Sequence, residues 1–333
     1  MKSPAYYWYR SDPAATLFAW LLLPLSWLYC AVASARRKLY QTGLKKSYAA
    51  AAPLVVFGNI VVGGSGKTPL LIAVCELIKE KGFKPGVVSR GYGGSVAGIK
   101  QVQENDMAGL VGDEPLMIFQ RTGVPVVVGA DRVAAVNYLL QNNQCDIVLS
   151  DDGLQHYRMQ RNVEIAVVDA RRGFGNGFCL PAGPLRERVS RLNNTDIVVY
   201  NGADDGVDTC SYSLEVVDVC QLNGEQSASL SSFAGKKVHA VAGIGHPPRF
   251  FSQLREAGID VLEHAFADHH VYSQTDFSGW QNDCILMTEK DAVKCRELSL
   301  PDAWQVNVRA VFSETLASQL HSKILALLNQ SHQ

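Results

Sequence analysis

The chain has 333 residues, 47% of them apolar and 19% charged, with 28 glycines and 13 prolines. At about 150 residues per domain that length predicts two domains with a real core, and the composition excludes a disordered, low-complexity or collagenous chain. Lys and Arg number 31 against 32 Asp and Glu, a net charge of −1. No basic field is available to grip nucleic acid, so any anionic ligand must be held locally.

The first element is a stretch without a charge, residues 14–35, rich in Leu and Trp and long enough for a helix that just crosses a bilayer. Its positive charge follows the apolar run, at Arg36, Arg37, Lys38, Lys45 and Lys46, which argues against a cleaved signal and favours the cytoplasmic side. Pro24 interrupts the run, and Trp8, Trp20 and Trp27 suit the headgroup level, so spanning and lying in the interface both remain open. Residues 1–48 are therefore expected to be a membrane-associated helical segment, which makes a lipid or lipid-linked substrate the natural ligand class. Eight cysteines, at positions 30, 75, 145, 179, 210, 220, 284 and 295, form no CxxC pair and no zinc spacing with histidine. They read as free thiols filling a core in a reducing compartment.

From Leu54 the pattern becomes strand, glycine turn, helix. Residues 54–57 are a short β run, and residues 68–81 carry helical apolar spacing at Leu70, Leu71, Val74, Leu77 and Ile78. Between them lies Gly63-Gly64-Ser65-Gly66-Lys67-Thr68, the end of a phosphate-binding P-loop, with Val61 where the general pattern has its first glycine. Such a turn crowds backbone N–H groups round phosphate oxygens, aims Lys67 at the β/γ-phosphates and offers the Thr68 hydroxyl to Mg²⁺.

Further β runs at 86–89, 124–128, 146–149 and 165–168 alternate with helical stretches near 114–121 and 132–141. Continuous apolar strands of this kind predict an α/β fold. It is expected to be a P-loop NTPase-like, mostly parallel sheet with helices on both faces, with ligands at the carboxyl ends of the strands. Ser150-Asp151-Asp152-Gly153 ends one strand and supplies an acidic pair for Mg²⁺ beside the P-loop. Guanine recognition is disfavoured, because Thr288-Glu289-Lys290-Asp291 has its lysine one place late for the Asn-Lys-x-Asp element.

An acceptor hydroxyl needs a base near the γ-phosphate. Asp113 and Glu114 open a predicted helix and could equally be its N-terminal cap; Asp268-His269-His270 is a second candidate, a proton relay on a loop. Polar stretches around 201–206 and 221–227, bracketing an apolar strand at 214–219, read as a linker over 201–235. The remainder, 236–333, reads as a smaller α/β domain after a core at 49–200, with a helix at 247–257, strands at 259–264 and 284–288 and a closing helix at 313–329. If His269 and Asp113 lie in different domains, catalysis is expected to need their closure from an open form.

Taken in order, Asn59 to Pro69, Ser89-Arg90-Gly91-Tyr92-Gly93-Gly94, Val111-Gly112-Asp113-Glu114-Pro115, Gly129-Ala130-Asp131-Arg132, Asp151-Asp152-Gly153-Leu154-Gln155-His156, Leu180-Pro181-Ala182-Gly183-Pro184-Leu185-Arg186-Glu187, Asp268-His269-His270 and Thr288-Glu289-Lys290-Asp291-Ala292-Val293-Lys294 resemble the tetraacyldisaccharide 4′-kinase (lipid A 4′-kinase) family over nearly the whole chain. The resemblance implies transfer of the ATP γ-phosphoryl group to the 4′-hydroxyl of an acylated glucosamine disaccharide 1-phosphate at the cytoplasmic face of the inner membrane, giving lipid IVA. ATP and Mg²⁺ are implied; membrane lipid is a partner, and no obligate protein partner is expected. It further implies Asp113 as base, assisted by His269 with His270 as the alternative; Lys67 on the β/γ-phosphates; Thr68, Asp151, Asp152 and Glu187 around the metal; and Glu114, Arg132, His156 and Tyr92 in support. Two other readings are a membrane-recruited P-loop ATPase switch or assembly factor, and a scaffold with a degenerate nucleotide fold.

Overall fold

The computed structural model describes residues 4–10, 12–202, 210–224 and 226–331. Two helices lead, α1 (Pro4–Trp8) and α2 (Pro13–Gln41), the latter started by Asp12, whose carboxylate accepts from the Ala15 N–H, with proline in the first turn, where its missing N–H costs nothing. Then follow β1 (Leu54–Gly58), α3 (Lys67–Glu80), β2 (Pro85–Ser89), β3 (Ile99–Gln101), α4 (Ala108–Val111), α5 (Asp113–Thr122), β4 (Val126–Gly129), α6 (Arg132–Asn142), β5 (Ile147–Ser150), β6 (Val163–Asp169) and β7 (Ile197–Asn201). The rest comprises β8 (Ser211–Gln221), β9 (Ser227–Ala228), β10 (Lys237–Ala242), α7 (Pro247–Glu256), β11 (Asp260–Ala265), β12 (Ile285–Thr288), α8 (Glu289–Cys295), β13 (Ala303–Phe312), α9 (Glu314–Leu320) and α10 (Ala326–Ser331).

All these strands belong to one sheet, in the order β11-β10-β12-β13-β8-β7-β6-β1-β5-β2-β4-β3, with β9 on β8. Pairing is parallel on both sides of a single antiparallel step inside the sheet, β13 against β8; β3 and β9 pair antiparallel at the margins. The apolar runs of β1, β2, β4 and β5 are buried throughout, as strands covered on both faces must be.

The linker expected over 201–235 is corrected here. Its apolar part extends into the 11-residue strand β8, paired along its length with β13. The strand expected at 214–219 is thus longer than its apolar part and belongs to the sheet rather than to a linker. The C-terminal helices also return to the first half, where Leu316, Leu320, Ile324 and Leu328 join the core of β1 and α3. The antiparallel step reverses the second-half strands. About 20–25° of twist at each of the six steps from β5 to β12 turns their carboxyl ends back toward those of the first half. Contact proves the convergence: a side chain on Gly245, after β10, would come within 3.1 Å of Gly64 in the P-loop.

Helix α2 lies along the body. It buries Ala15, Ala19, Leu23, Ser26 and Cys30 on one stripe, while Leu17, Trp20, Leu21, Leu25, Trp27, Leu28 and Val32 stand exposed on the other. The Ser26 hydroxyl donates to the Cys179 carbonyl and the Trp8 indole to the Pro181 carbonyl. Cys30 and Cys179, 6.3 Å apart at Cα, form a disulfide. The expectation of eight free thiols is thus corrected for these two; docking of α2 joins residues 149 apart, which spacing in the chain does not reveal. The other six cysteines are free.

Candidate active site

The P-loop leaves β1 and enters α3 through Gly63 and Gly66, both with positive φ, a conformation that glycine adopts without strain. The turn is braced from the middle of the sheet. Asn201 donates to the Ser65 carbonyl at 3.1 Å, the Tyr212 hydroxyl donates to the Gly66 carbonyl, and Arg249 holds Asn201 at 2.9 Å. A side chain at Gly66 would collide with both Asn201 and Tyr212.

Lys67 points at the end of β5, where its ammonium lies 3.4 Å from Asp152. Arg186 pairs with the same carboxylate at 2.9 Å. Burial opposes ionisation of Asp152, but Lys67 and Arg186 outweigh it and hold the carboxyl down at about 2. Its neighbour behaves in the opposite way: burial and then the charge of Glu114 push Asp151 up to about 7. Asp151 accepts from Ser89 at 3.3 Å through Oδ2, while Oδ1 is buried without a partner. Thr68 is also buried, on the first turn of α3.

Arg132 is buried behind this pair. It donates to the carbonyls of Gly129 and Asp151, at 2.9 and 3.2 Å, leaving Nε unpartnered, and burial lowers its pKa to about 10. Burial, with Arg132 adding to it, drives His156 down to about 4, so the imidazole is neutral, with a buried Nε2 lacking a partner. Glu187, expected near the metal, is engaged elsewhere: it accepts from the Tyr157 hydroxyl and from Gln155 at 3.1 Å, with Arg191 at 3.8 Å. Both oxygens therefore belong to a network behind the P-loop strand, in which Gln155 also donates to the Asn59 carbonyl.

The opposite wall of the cleft combines α5 of the first half with the loop after β11 and helix α8 of the second. Asp113, buried at the first turn of α5, accepts from the Glu114 N–H at 2.9 Å and meets His269 Nδ1 at 2.9 Å. The two alternatives for the histidine separate cleanly, since His270 turns to Asp276 at 3.3 Å. Because this contact is already made, no domain closure is needed to bring Asp113 and His269 together; the continuous sheet does so. Burial works against ionised Asp113, yet the His269 hydrogen bond and Lys290 bring its pKa below the usual carboxylate range, while the Asp113 bond raises His269 above its own. Exposed Tyr92 sets its ring edge on His269 at 4.8 Å between centroids.

Lys290 is the residue that sequence reasoning missed. Its ammonium joins Asp268 at 2.9 Å, Glu114 at 3.0 Å and Asp113 at 3.9 Å. Burial would lower its pKa, but three carboxylates raise it instead. The available signal is its place in Thr288-Glu289-Lys290-Asp291, which fails as a guanine motif and enters the family resemblance with no role for its lysine. In that motif Asp291 is structural, accepting from Thr288, Tyr272 and the Gly243 N–H. Among the described residues, the two non-glycine positions with positive φ are Asp152 at 46° and His269 at 61°. Left-handed backbone costs about 1–3 kcal/mol at a non-glycine residue and persists where surrounding structure enforces it, commonly at active sites. The cavity between the two walls is lined by the P-loop and by Ile72, Ala73, Met117, Leu214 and Phe250, an apolar slot beside a phosphate cradle.

Comparison with known proteins agrees with this arrangement. A family model described as LpxK, tetraacyldisaccharide-1-P 4′-kinase, matches residues 18–325. A tetraacyldisaccharide 4′-kinase from Shewanella amazonensis is 46% identical, covering 94% of this chain and 93% of the relative; one from Pseudomonas fluorescens is 44% identical, covering 96% and 95%. The crystal structure of LpxK from Aquifex aeolicus, an "apo" form in complex with ATP, superposes with a TM-score of 0.77 at 25% identity, covering 94% of this chain and 99% of that one. With a P-loop, an acidic pair and an Asp-His couple in one cleft, the chain belongs to the tetraacyldisaccharide-1-P 4′-kinase family, ATP-using kinases of lipid A biosynthesis.

Proposed function

We propose that the protein transfers the γ-phosphoryl group of ATP to the 4′-hydroxyl of an acylated glucosamine disaccharide 1-phosphate, giving lipid IVA at the cytoplasmic face of the inner membrane. One observation carries the assignment of the chemistry: Asp113 and His269, contributed by the two halves, meet at 2.9 Å across the cleft from Lys67. The acceptor oxygen attacks the γ-phosphorus, its proton passes to the Asp113–His269 couple, and the bond from the γ-phosphorus to the bridging oxygen breaks, releasing ADP. Such a transfer depends on positioning and on charge neutralisation more than on covalent chemistry. Lys67 and the backbone N–H groups of Gly63 to Thr68 receive the phosphates. Lys290 holds Glu114 and Asp268 in place beside the base, Tyr92 sets its ring edge on His269, and buried Arg132 braces the Asp151 carbonyl from behind.

A magnesium ion fits the residues present. Asp151 has a buried carboxylate oxygen without a partner, near the hydroxyl-bearing first turn of α3. Among the described residues no cage of three or more His, Cys, Asp or Glu exists, and Mg²⁺ in phosphoryl transfer needs only one or two carboxylates plus the phosphates. Thr68 and Asp151 would hold it, with Asp152 tied to Lys67; bound there, the ion would neutralise charge on the phosphates. Glu187 is assigned to bracing Gln155 and the P-loop strand.

The exposed apolar face of α2 supports a helix that lies in the membrane surface, its other face being fastened to the body. ATP labelled in the γ-phosphate, incubated with vesicles carrying the acylated disaccharide 1-phosphate, should place label in the lipid at the 4′ position. Label found only in inorganic phosphate would support the ATPase reading instead.

A further inference from the structure

We propose that the cavity under the N-terminal hairpin binds the phosphate headgroup of an anionic membrane phospholipid, away from the reacting centre. The inference rests on the membrane-lying reading of α2. The cavity, about 690 Å³, opens between α1–α2 and the loop after β6, and its walls include Arg10, Arg171, Arg172, His246, Trp8 and Trp20.

Its charge is unbalanced. Arg10 pairs with Asp12 at 2.6 Å, but among the described residues neither Arg171 nor Arg172 makes an ion pair. Arg172 donates to neutral acceptors, the Gly64 carbonyl at 3.2 Å and the Tyr9 hydroxyl at 2.9 Å. Asp169, the nearest acid in the sequence, accepts the backbone N–H groups of Arg171 and Arg172 at 3.0 Å. The exposed Arg171 side chain is therefore free to fork onto a phosphate.

The position selects the source of that phosphate. Trp20 lines the cavity and is also part of the bulky exposed face of α2, so the mouth opens where that face would enter lipid. Tryptophan belongs at headgroup depth, and cations beside a membrane attract anionic lipid. Proton transfer is assigned to Asp113 and His269 on the far wall of the cleft; the cavity adjoins the nucleotide side, sharing His246 with the cleft and reaching the Gly64 carbonyl through Arg172.

The test measures partition of the full chain onto vesicles of phosphatidylcholine alone or mixed with phosphatidylglycerol. It compares wild type with Arg10→Gln/Arg171→Gln and with Arg36→Gln/Lys38→Gln, two exposed cations elsewhere on α2. Each near-surface cation is worth about fivefold in partitioning, so the cavity variant should lose about 25-fold of the preference for phosphatidylglycerol. Much of that loss should persist in high salt, where diffuse attraction is screened, and the helix-surface variant should then match wild type. Equal losses in the two variants at high salt would overturn the cavity assignment. Loss of the wild-type preference on adding inorganic phosphate, with phosphatidylcholine binding unchanged, would give the cavity to free phosphate and overturn the lipid claim. A raised KM for the acceptor in the cavity variant, with vesicle preference intact, would give the arginines to the acceptor instead. Binding to neither vesicle would sink the membrane-lying reading itself.

Discussion

The two walls of the cleft are built by different means. On one, Lys67 and Asp152, beyond the ends of β1 and β5, adjacent strands in parallel register, pair with each other, and Arg186 from the loop after β6 shares the Asp152 carboxylate. On the other, Asp113, Glu114, Asp268, His269 and Lys290 come from α5, from the loop after β11 and from α8, and only the twisted, once-reversed sheet brings them together. The first wall is a local device for binding phosphate. The second is a product of tertiary structure, and it holds the couple proposed to take the proton. Damage to the first wall should weaken binding and turnover together; damage to the second should strike turnover while leaving ATP in place.

The sharpest break is Asp113→Asn, which removes the proposed base without altering shape. Turnover should fall by about 10²–10⁴-fold with the ATP dissociation constant unchanged, measured by rapid quench and equilibrium binding. Lys67→Met should cost about 10²–10³-fold in kcat/KM and weaken ATP binding as well, since its charge acts on the phosphates before and during transfer. For His269→Gln we expect a loss of about 10²-fold and a changed pH profile. The couple accepts a proton only while His269 is neutral. In wild type, activity therefore falls as pH drops through a His269 pKa that Asp113 has raised above about 6.5; in the variant that limb moves to lower pH, where Asp113 alone titrates.

Lys290→Met tests whether the second wall is held by its central cation. Removing one member of a buried ion cluster costs up to about 3–5 kcal/mol, and partial exposure of Glu114 and Asp268 puts the expected loss at the low end. Thermal unfolding should drop by several degrees, with turnover reduced about tenfold. The smallest catalytic effect belongs to Leu21→Glu/Leu25→Glu on the exposed face of α2. Vesicle flotation should be lost while turnover on detergent-dispersed acceptor stays as in wild type.

These differences also explain what the chain discloses when read alone. Gly63 to Thr68 and Asp151-Asp152 are legible because strand, turn and helix follow one another within a few residues, and β1, β2, β4 and β5 announce themselves as uninterrupted apolar runs. The apolar strand expected at 214–219 is the middle of β8, but polar stretches on either side set it in a linker and no run marks β13, its partner, so the reversal in the sheet is invisible in the chain. Without that reversal nothing indicates that Lys290 would reach Glu114, and the docking of α2 that joins Cys30 to Cys179 is likewise invisible in the chain. His269 and His270 are chemically identical neighbours; only the left-handed turn at His269 decides which ring faces Asp113.

Whether Asp113 and His269 act as one base is tested most directly by a double-mutant cycle in single turnover, with Asp113→Asn, His269→Gln and the pair combined, at saturating ATP. The account predicts that the combined variant transfers phosphate no more slowly than Asp113→Asn alone, because each change disables the same proton acceptor. Losses that multiply, as for two independent groups, would contradict it.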